Sequence, residues 1–415
     1  VSSEEGWSRD ELLYDWNLKG ELPTPPYEVE IDDETLRDGL QCPSVRNPSL
    51  GEKIEILHAM NEVGIRYADI GYPGASKTVL DDVTGLAKEI DRAGLDIEPN
   101  CAGRTHPNDI TPIAEAQQAS GVAIEASVFL GSSPIRQFVE GWDLDFLVKT
   151  AHDAVTYARS LELEVMFVTE DTTRANPDDL QKIYKAAIEA GARRICFSDT
   201  VGHATPWGVH NLITFARRLV SDLGMNIKID FHGHRDRGLD IINSLTALAA
   251  GANRVHGCGL GIGERVGNTS MEILLINLKL LGWIDSDLTG LSDYADAVSR
   301  ATGVPVPHDY PGIGKDAFET STGVHAAAVL KALRKNDTWL ANRIYSGVPA
   351  DIVGKEQVIT VGPMSGQANA NAWLALHDQP ADPEVADRIL AAAKASDRVL
   401  TDDEIFSLIN QPVGT

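Results

Sequence analysis

The chain has 415 residues, 43% of them hydrophobic, and carries 61 Asp and Glu against 36 Lys and Arg, a formal charge of −25. So acidic a surface repels nucleic acid and anionic lipid, and an anionic ligand must find a local basic pocket. No run of eighteen apolar residues is present to span a membrane, no basic and then apolar export signal opens the chain, and Cys42, Cys101, Cys196 and Cys258 form no Cys-x-x-Cys, so a soluble, unexported protein of the reducing cytoplasm is expected.

Residues 1–26 read as an arm, with Trp7, Tyr14 and Trp16 available to pack on the main body or on a partner chain and a partly ordered tail as the alternative. Extended segments then recur at Glu28–Asp32, Tyr67–Ile70, Ile97–Cys101, Ala123–Phe129, Glu164–Phe167, Arg194–Phe197, Asn226–Phe231 and Arg254–His256. The stretches between them carry helical spacing, as in Ile54, Leu57, Met60 and Val63, and several close on Gly before the next strand. Eight strands alternating with helices predict a (β/α)8 TIM barrel over residues 27–290. A doubly wound sheet is the competitor, but no Gly-x-Gly-x-x-Gly follows the first strand. Residues 291–415 lose the strand rhythm and read as mainly helical subdomains.

Barrel chemistry sits where strands end and the following loops begin. His232 and His234 lie at such a point, and on a strand the side chains of i and i+2 share one face, about 7 Å apart along the backbone. Alone, the pair fits either two ligands of one divalent metal or two hydrogen-bonded core histidines. Asp38, in the loop after the first strand, adds a carboxylate at the same mouth and tips the choice toward metal. Arg37 beside it can bind a carboxylate or stabilise a developing oxyanion, with a structural pairing to Glu170 or Asp199 as the alternative. The glycine-rich turn 257–268 is a weak candidate for phosphate contact.

Taken together, Asp33-x-Thr35-Leu36-Arg37-Asp38-Gly39-x-Gln41, His232-Gly233-His234, Gly261-x-Gly263-Glu264-Arg265-x-Gly267-Asn268 and Gly323-Val324-His325 resemble the DRE-TIM metallolyases, in their Claisen-condensing branch of 2-isopropylmalate, homocitrate and citramalate synthases. The resemblance covers about residues 28–370. It implies a barrel that binds Mg²⁺, Mn²⁺ or Zn²⁺, takes acetyl-CoA and a 2-oxo acid as substrates, and works as a homodimer whose partner chain reaches over the active site. Carried over, Asp38, His232 and His234 are metal ligands with Asn268 behind or beside them, and Arg37 faces the ketone oxygen and the enolate. Thr200 and Gln41 hold the 2-oxo acid carboxylate, Glu170 orients water or the acyl group, and His325 of the neighbouring subunit moves the proton with Tyr345 assisting. The implied product is a 2-substituted malate and free CoA.

The chain departs from the pattern at Arg235, where Asn is usual, and at Thr320-Ser321, where His-Glu is usual. Ser127 and Val168 replace more polar residues of the resembled synthases and imply a roomy, apolar side-chain pocket, suited to a branched or aromatic 2-oxo acid. A dicarboxylic or phosphonate-bearing acid needs a further cation, for which Arg104, Arg136 and Arg235 are the candidates. Too few residues follow Gly366 for the long regulatory domain of the resembled synthases, and no leucine inhibition through such a domain is expected. Other readings are a metal-dependent aldolase or lyase on the same barrel and a catalytically silent scaffold.

Overall fold

The computed structural model describes residues 7–19 and 23–410; residues 1–6 and 20–22 of the expected arm, and 411–415, lie outside the described residues. Eight parallel strands close into a barrel in sequence order, β1 (Glu30–Asp33), β2 (Tyr67–Asp69), β3 (Glu98–Arg104), β4 (Glu125–Gly131), β5 (Glu164–Glu170), β6 (Arg194–Asp199), β7 (Lys228–Gly233) and β8 (Arg254–Gly257). Pairing of Asp32 with Tyr67 on one side and with His256 on the other seals the ring at β1. Each expected strand is present. Several run further toward the loops than their apolar stretch, β3 to Arg104 and β5 to Glu170.

Crossover helices such as Leu50–Glu62, Lys77–Ala93, Pro177–Ala190 and Pro206–Leu223 cover the outside of the barrel. Their starts are fixed by side-chain caps at Ser49, Ser76, Asn176 and Thr205, which accept backbone N–H groups that the helix leaves unpaired. Alternate strand residues, among them Val165, Phe167, Ile195, Phe197, Ile229 and Phe231, face these helices and are fully buried or nearly so.

The other strand face points into the barrel and is unusually polar. At the end where the strands begin, Arg254 donates to Asp230 and Glu125 at 2.6 and 2.9 Å, and Arg194 to Asp230 and Glu30 at 2.6 and 2.7 Å. These pairs close that end, beneath an open bowl of about 1030 Å³ lined in part by the same arginines. Beyond the barrel, a helical part from Leu291–Thr302 to Asp402–Ile409 builds two small apolar clusters of its own, one around Val329 and Ala341, the other around Trp373 and Ile389. In the arm, Arg9 lies over the Trp339 ring at 4.8 Å, while Tyr14 and Trp16 pack edge to face and stay largely exposed. No helix among the described residues is long and apolar enough to cross a membrane.

Because Arg254 is 1% exposed and answers two carboxylates, Arg254→Met should destabilise the fold by about 3–5 kcal/mol, the cost of leaving buried charge unpaired. Urea unfolding followed by tryptophan fluorescence checks this, and a loss below about 1 kcal/mol would contradict it.

Candidate metal centre and active site

The strands' C-terminal ends surround a cavity of about 270 Å³. Inward alternation sets its wall: Met166, Val168 and Glu170 from β5, Cys196, Ser198 and Thr200 from β6 and its loop, His232 and His234 from β7 and its end, and His256 from β8. His232 lies on the strand, and His234 just beyond it forms a bridge with Asn268. The loop after β1 contributes Glu34, Arg37, Asp38 and Gln41. That loop is anchored by Asp33, which accepts the Thr35 N–H, and by Thr35, whose hydroxyl accepts the Gly259 N–H at 2.8 Å.

Asp38, His232 and His234 converge as the sequence spacing requires, all three buried. The two Nε2 atoms stand 3.2 Å apart, and Asp38 Oδ2 is 3.7 Å from each. Ligands about 2.1 Å from one ion lie about 3.0–3.4 Å from each other, so the triad is close to a preformed face of a divalent site. Burial pushes the imidazoles down to about 3 for His232 and about 4 for His234, which keeps both neutral and able to donate a lone pair. Burial works against ionisation of Asp38, but Arg37 and the two histidines outweigh it and hold its carboxyl well below the usual range. The buried His234 Nδ1 and Asn268 Oδ1 have no hydrogen-bond partner among the described residues. Two facing Nε2 atoms beside an ionised carboxylate, with no proton required between them, fit a cation, and the donor set fits Mg²⁺, Mn²⁺ or Zn²⁺.

Asn268 stands behind Asp38, its Nδ2 donating to Asp38 Oδ1 at 3.0 Å. Gly263, at φ +149°, makes this possible, because a Cβ there would lie 2.1 Å from Asn268 Nδ2. Arg37 is not paired with Glu170 or Asp199. It donates to Asp69 at 2.8 Å, to Asp38 at 3.0 Å and to Glu34. Burial raises Asp69 to about 6, although Arg37 opposes the shift. Burial also raises Glu170, which lines the cavity.

Ser127 and Val168 line the cavity, with the Ser127 hydroxyl donating to Asn100 at 2.9 Å. Gln41 and Thr200 sit at its wall, and the Thr200 hydroxyl accepts the Asp171 N–H at 2.8 Å. Arg104 is not among the lining residues; its guanidinium donates twice to Asp109, at 2.6 and 3.0 Å. His325 and Tyr345 also lie outside the lining of the cavity in this chain, stacked on each other at 4.0 Å and exposed. Asp69 and His256 were missed as site residues by the sequence reading. The available signal was a charged or titratable residue at the C-terminal end of a short barrel strand, at an inward position.

The HMGL-like family model matches residues 28–298. The chain belongs to the HMGL-like family. Within it, the chain is similar to the synthase branch: it is 31% identical over 392 residues to the 2-isopropylmalate synthase of Methylacidiphilum infernorum, covering 91% of this chain and 74% of that one. It is 30% identical over 374 residues to a homocitrate synthase of Methanopyrus kandleri, covering 89% and 88%. Across eight such relatives the chain spans 62% to 89% of their length, with 63% for another M. kandleri protein. The crystal structure of hydroxymethylglutaryl-CoA lyase from Pseudomonas aeruginosa, 19% identical, superposes with a TM-score of 0.55 over 66% of this chain and 93% of that one, a likeness of fold. The expected family and barrel are therefore both found in this HMGL-like chain.

Gly263→Ala should push Asn268 off Asp38 and weaken Mn²⁺ binding by about tenfold or more, a perturbation of a residue supporting a metal ligand. Isothermal titration of the purified protein measures it, and an unchanged Kd would show that Asn268 does not support the site.

Proposed function

We propose that this protein condenses acetyl-CoA with a hydrophobic 2-oxo acid and hydrolyses the thioester, giving a 2-substituted malate and free CoA, as a 2-isopropylmalate-synthase-like acyltransferase. The named synthases among its relatives support the reaction class. The observation that carries the hydrophobic substrate is the state of the cavity's cations. Arg37 already answers Glu34, Asp38 and Asp69, and Arg265 answers Asp236. Among the described residues the lining offers no further Arg or Lys, while Ala102, Phe129, Met166 and Val168 offer an apolar wall. A second carboxylate on the substrate would lose its water there without gaining a partner.

In this reading Asp38, His232 and His234 would hold a divalent cation, which would supply Lewis acidity to the bound 2-oxo acid. Thr200 and Gln41 hold that carboxylate. Arg37 donates to the oxygen that gains charge when the new carbon–carbon bond forms. His325, delivered from the partner subunit with Tyr345 stacked on it, takes the proton from the acetyl methyl group. Water then breaks the carbon–sulfur bond, with the acid's new carboxyl on one side and the CoA thiol on the other. Glu170, whose carboxyl burial raises above its ordinary value, orients that water. A second reading within the same chemistry, an aromatic side chain, draws support from Tyr72 and Phe129, which meet edge to face at 6.3 Å on the cavity wall.

Release of free CoA, read with a thiol reagent, tests the proposal against pyruvate, 2-oxoisovalerate, phenylpyruvate and 2-oxoglutarate with Mn²⁺ or Mg²⁺. The highest kcat/KM should fall on 2-oxoisovalerate or phenylpyruvate, and Asp38→Ala should lower it by about two orders of magnitude or more. A preference for 2-oxoglutarate would overturn the hydrophobic pocket, and no release with any acid would turn the assignment to a lyase. Mixing inactive Asp38→Ala and His325→Ala subunits should restore part of the activity if His325 serves the neighbouring site. A mixture that stays inactive although the subunits exchange would place His325 outside the reaction.

A further inference from the structure

Glu34 and His256 take no part in the reaction just described, yet both are almost fully buried against the metal triad. Glu34 Oε1 lies 3.0 Å from His232 Nδ1 and 2.5 Å from His256 Nδ1, and its other oxygen accepts from Arg37 Nη2. His256 turns its Nε2 to Asp230 Oδ2 at 3.0 Å, and Asp230 accepts from Arg194 and Arg254. A continuous file of polar contacts thus runs down the barrel axis from the ion cluster at the closed end to His232.

An ionised carboxylate can only accept hydrogen bonds. Contact with Glu34 therefore places the His232 proton on Nδ1 and leaves Nε2, the atom facing His234 and Asp38, as the lone pair. His234 has no equivalent among the described residues, where its buried Nδ1 meets no hydrogen-bond partner. We propose that Glu34, held in place by His256 and Arg37, is a positioning residue that locks His232 in the tautomer able to bind a divalent cation. The proposal rests on the metal set of the function proposed above. A competing arrangement is a second cation among Glu34, His232 and His256, whose ligand atoms also cluster; it would require His232 Nδ1 to give up the same proton, and it predicts two ions per chain.

Glu34→Gln is the informative change. Glu34 meets donors on both oxygens, Arg37 on one and the two imidazoles on the other, and an amide has only one oxygen to offer. With that oxygen on Arg37, the amide NH₂ faces His232 and favours the proton on Nε2, the metal-binding atom. Titration with Mn²⁺ should give one ion per chain in the wild type and a Kd raised about 10–100-fold in Glu34→Gln. In metal-free protein labelled with ¹⁵N-histidine, the His232 resonances, assigned by their loss in His232→Gln, should report the Nδ1–H tautomer. In Glu34→Gln they should shift to Nε2–H or to a mixture, a change that loss of packing alone does not produce.

Unchanged affinity and tautomer in Glu34→Gln, or two Mn²⁺ per chain in the wild type, would overturn the proposal. A wild type that binds no Mn²⁺ would instead sink the metal assignment, and the tautomer of the metal-free protein would still decide whether Glu34 locks His232. Should Glu34→Gln fail to fold, His256→Leu decides: it leaves Glu34 in place, removes one of its holders, and should weaken Mn²⁺ binding by about tenfold, whereas an unchanged Kd would count against the file.

Discussion

The site depends on one guanidinium among three carboxylates. Arg37 touches Glu34, Asp38 and Asp69 at once, with its side chain only 18% exposed. Burial disfavours the charges of Arg37, Asp38 and Asp69, and the contact between the cation and each acid works against that cost. The same contacts orient the site: Asp69 fixes the arginine from β2, Asp38 turns one oxygen to the histidines, and Glu34 turns one oxygen to His232. Along the axis the buried acids Asp32, Glu34, Asp38, Asp69 and Asp230 outnumber the arginines Arg37, Arg194 and Arg254. A divalent cation between Asp38 and the two histidines would redress that imbalance where it is most concentrated.

The glycine-rich turn after β8 has a mechanical part in this arrangement. Glu264 N–H donates to Asp38 Oδ1 at 3.2 Å, and Asn268 reaches the same oxygen across Gly263. Arg235 lies under the turn, bonded to the Val266 carbonyl at 2.7 Å and to Ser270 at 3.1 Å, which accounts for the residue that departs from the resembled pattern. Glu272, fully buried and pushed up to about 7 by that burial, accepts the Leu260 N–H from the other side. Within the turn it is Gly263 whose missing Cβ leaves room for Asn268 and Asp38 to approach each other.

The barrel was legible because its outward strand faces are continuously apolar and its helices open on caps and often close on glycine. Strand ends were less legible. Arg104 and Glu170 extend β3 and β5 on the inward face, where polar residues break the apolar run that marks a strand. His232 and His234 could be read from the sequence, since a two-residue spacing at a strand end encodes a shared face, and Asp38 from its place in the loop after the first strand. Glu34's contact with His256 joins residues 222 apart in sequence, and Arg37 meets Asp69 across the β1–β2 seam. No local pattern encodes such pairings; only closure of the ring brings β8 beside β1. Arg104 differs, since its partner Asp109 lies close by in sequence, in the first turn of the next helix.

Closure also divides the work around the ring. The metal triad and its supports come from the β1, β7 and β8 arc, with Asp69 added from β2. The residues suited to a substrate side chain, Ala102, Ser127, Phe129, Met166 and Val168, come from β3 to β5 on the opposite wall. Substitutions in this second arc change the volume and polarity of the cavity without touching the contacts that hold Asp38, His232 and Arg37. The reacting centre can therefore stay fixed while the accepted side chain changes. In this chain those five residues contribute apolar surface and one hydroxyl, and that hydroxyl donates to Asn100. The strongest polar interactions available to a ligand therefore lie on the first arc, where they would orient a substrate by its oxygen atoms and leave its side chain against the apolar wall.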